Sequence, residues 1–209
     1  MLLFGFDESR EKEKTYKYYF THISKMLLNN IEIKILREFT KDYSRKIYGR
    51  AIAKELKLNQ KTVANILNRM EKENILKFSK EGKNKYYFLN QLNSGIKEVI
   101  KIIEINKKIS FLEKHKNKRS LFLELEKRTK GILIIFGSYA KNQEIKNSDL
   151  DLFVLGSIKK IDDLEDKYDI KINIIKSKKI HQEEIIFNEI IRNHIILKGV
   201  EDFLEILKW

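Results

Sequence analysis

The chain has 209 residues, of which 42% are hydrophobic and 35% charged, and its formal net charge is +13. That balance excludes an intrinsically disordered chain and suits one large or two small folded domains. Cysteine is absent, which excludes disulfides, thiolate zinc sites and cysteine nucleophiles; no apolar run approaches the roughly 20 residues that span a bilayer. The opening Met-Leu-Leu-Phe-Gly-Phe-Asp-Glu turns charged too soon for a signal peptide, so a cytoplasmic protein without a membrane role is expected.

The excess of Lys and Arg falls in residues 1–130, whereas 131–209 holds slightly more acids than bases. A basic front half is the expected footprint of a nucleic-acid partner, because Lys and Arg displace counterions condensed on phosphate. The two halves therefore face different partners.

Residues 10–29 mix charge with Tyr16, Tyr18, Tyr19, Phe20, Ile23 and Leu27 in an irregular helical stripe, read either as a capping element or as a helix that packs on a partner. From Ile31 the spacing of Ile35, Leu36 and Phe39 predicts a helix. Gly49 opens a second, short helix with Ala51, Ile52, Ala53 and Leu56, and Lys57-Leu58-Asn59 forms the turn after it. Asn59 is placed to cap a third helix, Gln60 to Glu73, whose Val63, Ile66, Leu67 and Met70 face inward. Its outer face carries Gln60, Lys61, Thr62, Asn65, Asn68 and Arg69, side chains able to reach base edges or phosphates.

Next come Ile75 to Phe78, a turn over Lys80-Glu81-Gly82-Lys83-Asn84, and Lys85 to Leu89, the pattern of a hairpin with a basic tip. From Ile31 to Asn90 the order of helices, turn and basic hairpin resembles the winged helix-turn-helix of prokaryotic transcription regulators. The resemblance rests on Ala51-Ile52-Ala53-Lys54-Glu55-Leu56, Thr62-Val63-Ala64 and Gly82. It implies double-stranded DNA as partner, the third helix in the major groove, and Lys80, Lys83 and Lys85 along the backbone or minor groove.

Leu92, Ile96, Val99, Ile100, Ile103 and Ile109 repeat at helical spacing towards Lys114, as in a strut between domains or a dimerisation helix. A homodimer fits a protein that reads paired half-sites. Residues 115–119 read as a basic hinge with His115 on the surface. The expected division is a winged domain over 1–90, a helical connector over 91–119 and a second domain over 120–209.

Ser120 to Lys130 reads as a helix ended by Gly131, and Ile132 to Phe136 as a strand apolar on both faces. Gly137 lets backbone approach a ligand closely, and Ser138 offers a hydroxyl and an amide to phosphate. Lys141 and Ser148 flank the loop that follows. Then Asp149-Leu150-Asp151-Leu152-Phe153-Val154 alternates, which puts both aspartates on one face of a strand. Two carboxylates that close are costly unless a cation or hydrogen-bond donors compensate.

Gly137-Ser138 followed by Asp149-Leu150-Asp151 resembles the minimal nucleotidyltransferases of the DNA polymerase beta superfamily over about Gly131 to Gly199. That resemblance implies an α+β chain whose second domain is a mixed sheet backed by helices. It further implies an NTP near Gly137, Ser138, Lys141 and Ser148, and Mg²⁺ held by Asp149 and Asp151. Two departures stand out. Asn142 occupies a loop position where such proteins often have Gly, a substitution that left-handed geometry tolerates in Asn. In the strand Tyr168 to Ile175 the third-acid position falls on Asn173, with Lys171 beside it, and an amide cannot deprotonate a hydroxyl.

The remaining segment reads as helical, with His194 as a structural histidine and Trp209 as a packing residue. The sequence reading favours a DNA-binding transcriptional regulator with a degenerate transferase domain. Its alternatives are an active Mg-dependent nucleotidyltransferase acting on a nucleic-acid, small-molecule or protein hydroxyl, and an antitoxin-like interaction module.

Overall fold

The structure, a computed structural model, describes residues 30–179 and 185–207. The stripe expected over 10–29 and Trp209 lie outside them. The described residues fall into two compact units: 30–39 with Lys46–Val99, and Thr40–Arg45 with 100–179 and 185–207. No helix among the described residues is long and apolar enough to cross a membrane.

The first unit contains α1 (Asn30–Phe39), β1 (Ile47–Tyr48), α2 (Gly49–Leu56), α3 (Gln60–Lys72), β2 (Leu76–Glu81) and β3 (Asn84–Leu89). Ile33, Ile35, Leu36 and Phe39 from α1 share burial with Ile52, Val63, Leu67 and Met70. A Cβ on Gly49 would lie 3.1 Å from Leu67 Cδ1, so the small residue permits the close crossing of α2 and α3. Lys57 ends α2 in the left-handed region, and the Asn59 side chain accepts from the amides of Lys61 and Thr62, as its capping role requires.

The hairpin is tighter than the sequence predicts. Both strands extend, and the loop shrinks to Gly82-Lys83, with Gly82 at φ +59 where a two-residue turn needs a positive angle. Strand β1, two residues long, pairs Ile47 with Tyr87 and Tyr48 with Tyr86. It is too short to show a period in the sequence.

In the second part of the chain α4 (Ile96–Lys114) leads through a 3₁₀ turn (Lys116–Lys118) into α5 (Arg119–Arg128). The sheet is built from β4 (Thr129–Phe136), β5 (Leu150–Ile158), β6 (Ile172–Ser177) and β7 (Ile195–Lys198) in the order β6-β5-β4-β7. It is mixed: β5 and β6 run parallel, while β4 is antiparallel to β5 and β7. Short helices α6 (Gly137–Ala140), α7 (Asp162–Tyr168), α8 (Ile185–Arg192) and α9 (Val200–Ile206) connect and close the strands. One sheet face presents Leu133, Ile135, Leu150, Leu152 and Val154 to a core shared with Phe111, Leu121, Phe122 and Leu125. The fold is thus α+β, with an N-terminal winged-helix-like region and a C-terminal nucleotidyltransferase-like mixed sheet.

Two local expectations change. Gly131 does not end a helix; it lies inside β4 opposite Gly156, at φ +96 and +127, and a Cβ on Gly131 would sit 2.2 Å from the Leu155 carbonyl oxygen. His115 is not on the surface. Its Nδ1–H donates to the Phe111 carbonyl at 2.8 Å, Nε2 lies 3.1 Å from Glu144, and the ring packs against Phe111, Phe122 and Tyr139. The basic run around it hides this, because its aromatic partners come from three separate elements.

Candidate nucleotide site and nucleic-acid interface

The Gly-Ser turn and the two aspartates meet at one edge of the sheet because β4 and β5 pair Phe136 with Asp151. Directly after Phe136 the chain turns at Gly137, φ +67, into the single turn α6. Asp151 packs on that glycine: a Cβ there would come within 2.2 Å of Asp151 Oδ2. Glycine is needed here for both its angle and its missing side chain.

Strand β6 supplies the third wall. Its parallel register sets Asn173 opposite Asp151. The Asn173 amide donates to Asp151 Oδ1 at 3.0 Å and to Asp149 Oδ2 at 3.2 Å, and Lys171 Nζ stands 3.4 Å from Asp149 Oδ2. An amide hydrogen pair and an ammonium thus offset two like charges held side by side. Among the described residues no third carboxylate or imidazole completes a metal-binding group with them.

The donor set still fits Mg²⁺. Two adjacent carboxylates are the hard oxygen ligands that this ion takes, with waters and substrate phosphates filling the rest of its octahedron. Asn173 directs its NH₂ at the carboxylates because its carbonyl would be repelled by them. Facing a cation, the same side chain would present oxygen after rotation.

The other expected nucleotide contacts are placed as follows. Ser138 sits half-buried in α6. Ser148 is used inside its loop, its hydroxyl accepting from the Ile145 amide at 2.8 Å. Asn142 takes φ +55 and accepts from Lys114 Nζ at 3.1 Å, which keeps the turn that glycine would otherwise make. Lys141 Nζ pairs with Glu189 Oε1 at 2.9 Å. Behind the loop, Glu144 takes hydrogen bonds from Lys114 and contacts His115; burial opposes its charge, yet these partners hold its pKa below the ordinary value.

Sequence reasoning missed the surroundings of Lys141. An open cleft of about 460 Å³ is lined by Lys141, Asn188, Glu189, Arg192 and Asn193. The signal available was the polar set Asn188, Glu189, Arg192 and Asn193 embedded in an isoleucine run. Also within this part of the chain, His194 is buried with Glu104, Tyr43 and Lys107. Its Nδ1–H donates to the Ile191 carbonyl at 2.8 Å, so Nε2 is the nitrogen that meets Glu104 Oε2 at 3.1 Å. Burial alone would push the Glu104 carboxyl up, but Lys107 and His194 outweigh it and hold it at about 2. The Tyr43 hydroxyl is raised by burial and by the same carboxylate.

In the first unit the outer face of α3 exposes Gln60, Lys61, Thr62, Asn65, Asn68 and Arg69, and the hairpin exposes Lys80, Lys83 and Lys85. Three of these have partners inside the unit. Arg69 forms an ion pair with the buried Glu32 on α1, Asn68 accepts from the Tyr87 hydroxyl at 2.9 Å, and Lys85 Nζ lies 4.2 Å from the centre of the Phe78 ring. They brace α3 and the hairpin as well as facing outward.

Residues 118–206 match the family described as "Nucleotidyltransferase domain". The matched span takes in Gly137, Ser138, Asp149, Asp151 and Asn173 together. Among solved structures the chain is similar to a homodimeric winged helix-turn-helix DNA-binding domain from Mycobacterium bovis, a possible ArsR-family transcriptional regulator. That likeness has 15% identity, covers 53% of this chain and 92% of that one, and has a TM-score of 0.37. A toxin–antitoxin crystal structure with AMP-PNP matches at 20% identity over 45% of this chain and 82% of the other, with a TM-score of 0.34. A mutant of the toxin–antitoxin MntA-HpeT matches at 18% identity over the same shares of the two chains, also with a TM-score of 0.34. No curated protein matches the sequence.

Proposed function

We propose that the second domain binds a nucleoside triphosphate with Mg²⁺ and transfers its nucleotidyl group to a hydroxyl, while the winged domain holds the chain, as a homodimer, on double-stranded DNA. The observation that carries the first part is the packing of Asp151 on the Gly137 turn, with Asp149 held beside Asp151 through the shared Asn173 amide. Asp149 and Asp151 would hold the ion, which when bound offsets charge on the triphosphate.

Gly137 and Ser138 offer close backbone approach and a hydroxyl to phosphate oxygens. Transfer forms a bond from the acceptor oxygen to the alpha phosphorus and breaks the bond from that phosphorus to the bridging oxygen, releasing pyrophosphate. Asn173 cannot accept the hydroxyl proton, so the proton passes to solvent rather than to a side chain at the third-acid position. The test is incubation with α-labelled ATP and MgCl₂. Label should pass to a macromolecular or small-molecule acceptor and disappear in Asp149→Asn; labelled ATP that binds but is never transferred would rule the activity out.

A second reading is a DNA-bound regulator that binds nucleotide without turning it over. It is favoured by Asn173 and Lys171, which together neutralise the aspartates with groups that cannot serve as a base. Saturable ATP binding with no transfer, alongside salt-dependent duplex binding, is the outcome that selects it.

A further inference from the structure

The cleft beside Lys141 has no part in holding the two aspartates, and its chemistry points in one direction. Lys141 ends the short helix that the Gly-Ser turn opens, and Arg192, Asn188 and Asn193 add a guanidinium and two carboxamides, all donors to anionic oxygen. A volume of about 460 Å³ lies within the usual range for small-ligand clefts. Glu189 is the one acid among the lining residues, and it holds Lys141 at 2.9 Å.

Both partners of that pair are partly exposed, at 33% and 47% of their side-chain area, so solvent screens it and an anion can displace the carboxylate at little cost. Arg192 ends α8, exposed, with no ion-pair partner among the described residues.

We propose that this cleft is a polyphosphate subsite gated by Glu189: the carboxylate occupies Lys141 in the free protein and yields it to the terminal phosphates of the ligand, which Arg192 also contacts. The inference rests on the nucleotide-binding reading above and adds to it the residues that select a triphosphate over a monophosphate. Removing the Glu189 charge makes the cleft more cationic and removes the competitor for Lys141. Removing the Arg192 charge takes away a forked donor that no other lining residue replaces.

Isothermal titration of the full chain with ATP, AMP and inorganic tripolyphosphate tests it, the last probe separating a nucleotide from free polyphosphate. ATP and tripolyphosphate should bind, with AMP weaker by about tenfold or more. Glu189→Gln should tighten both polyphosphates by about two- to fivefold, and Arg192→Gln should weaken them by about fivefold or more, each with an unchanged Tm. Failure of tripolyphosphate to bind, equal affinity for AMP and ATP, or indifference to both substitutions would overturn the gate. Tripolyphosphate binding that responds to both substitutions in a protein that never transfers label from ATP would leave the gate standing and remove the transferase reading. Transfer by the wild type with no response to either substitution would do the reverse.

Discussion

Asn173 donates to Asp151 at 3.0 Å from the position directly opposite it in the parallel β5–β6 register. The same amide reaches Asp149 at 3.2 Å. One neutral side chain thus stitches together two carboxylates that would otherwise repel, at the position where the sequence resemblance leads one to expect a third acid.

Asn173→Asp should exchange that stitch for a third negative charge. Without divalent ion the variant is expected to lose about 1–2 kcal/mol of stability from like-charge repulsion and lost hydrogen bonds. Added Mg²⁺ should restore it and bind more tightly than to the wild type. Thermal melts with and without MgCl₂ report both effects; a variant as stable as the wild type in EDTA would show that the amide bridge contributes nothing.

Gly137→Ala should remove nucleotide binding and destabilise the second domain. The new Cβ would lie 2.2 Å from Asp151 Oδ2, at a φ of +67 that alanine adopts only with strain. The expected cost is about 2 kcal/mol or more, since the carboxylate and the backbone must both move. Denaturant midpoints beside ATP titration check it. Retained ATP affinity would place the nucleotide away from this turn.

Acid should weaken the second domain through Glu104. Its folded pKa is lowered from 4.5 to about 2, so the stabilisation from its contacts with Lys107 and His194 is complete above pH about 4.5 and is lost as the pH falls towards 2. Glu104→Gln should cost about 3 kcal/mol at neutral pH, because Lys107 loses its buried counter-charge and the contacts of Tyr43 and His194 with the carboxylate are disturbed. It should also flatten the stability profile between pH 4.5 and 2 relative to the wild type. Parallel profiles for the two proteins across that window would contradict the assignment.

In the winged domain the two kinds of cation should separate experimentally. Lys83→Gln, at the exposed hairpin tip, is expected to weaken duplex binding evenly across sequences, lower the salt slope by about one, and leave Tm unchanged. Arg69→Gln should lower stability by about 1–3 kcal/mol, since buried Glu32 on α1 loses its partner. Fluorescence anisotropy at two salt concentrations, with melting curves, distinguishes them. An Arg69→Gln protein that melts like the wild type would show the pair to be without structural effect.

Much of the second domain was legible in the sequence because its signal is local. Alternation along Asp149 to Val154 marks the strand and sets the two aspartates two residues apart, Asp151 within β5 and Asp149 directly before it, and Gly137-Ser138 after an apolar run marks the turn. The winged domain was legible for the same reason: apolar spacing in α1 and α3, the Asn59 cap and the basic Gly82 tip each depend on neighbours within a few residues.

What tertiary structure alone decided is which distant groups meet. The parallel register of β6 on β5 turned Asn173 from a position in a pattern into a donor to both carboxylates. Packing of three elements buried His115, whose own segment reads as a basic surface hinge. The close antiparallel pairing of β4 and β5 demanded Gly131 opposite Gly156, and α8 brought Glu189 to Lys141 across 48 residues. Period fixes the face on which a side chain lies, because backbone geometry repeats. Its partner is set by register and packing between segments far apart in the chain, which no local period encodes.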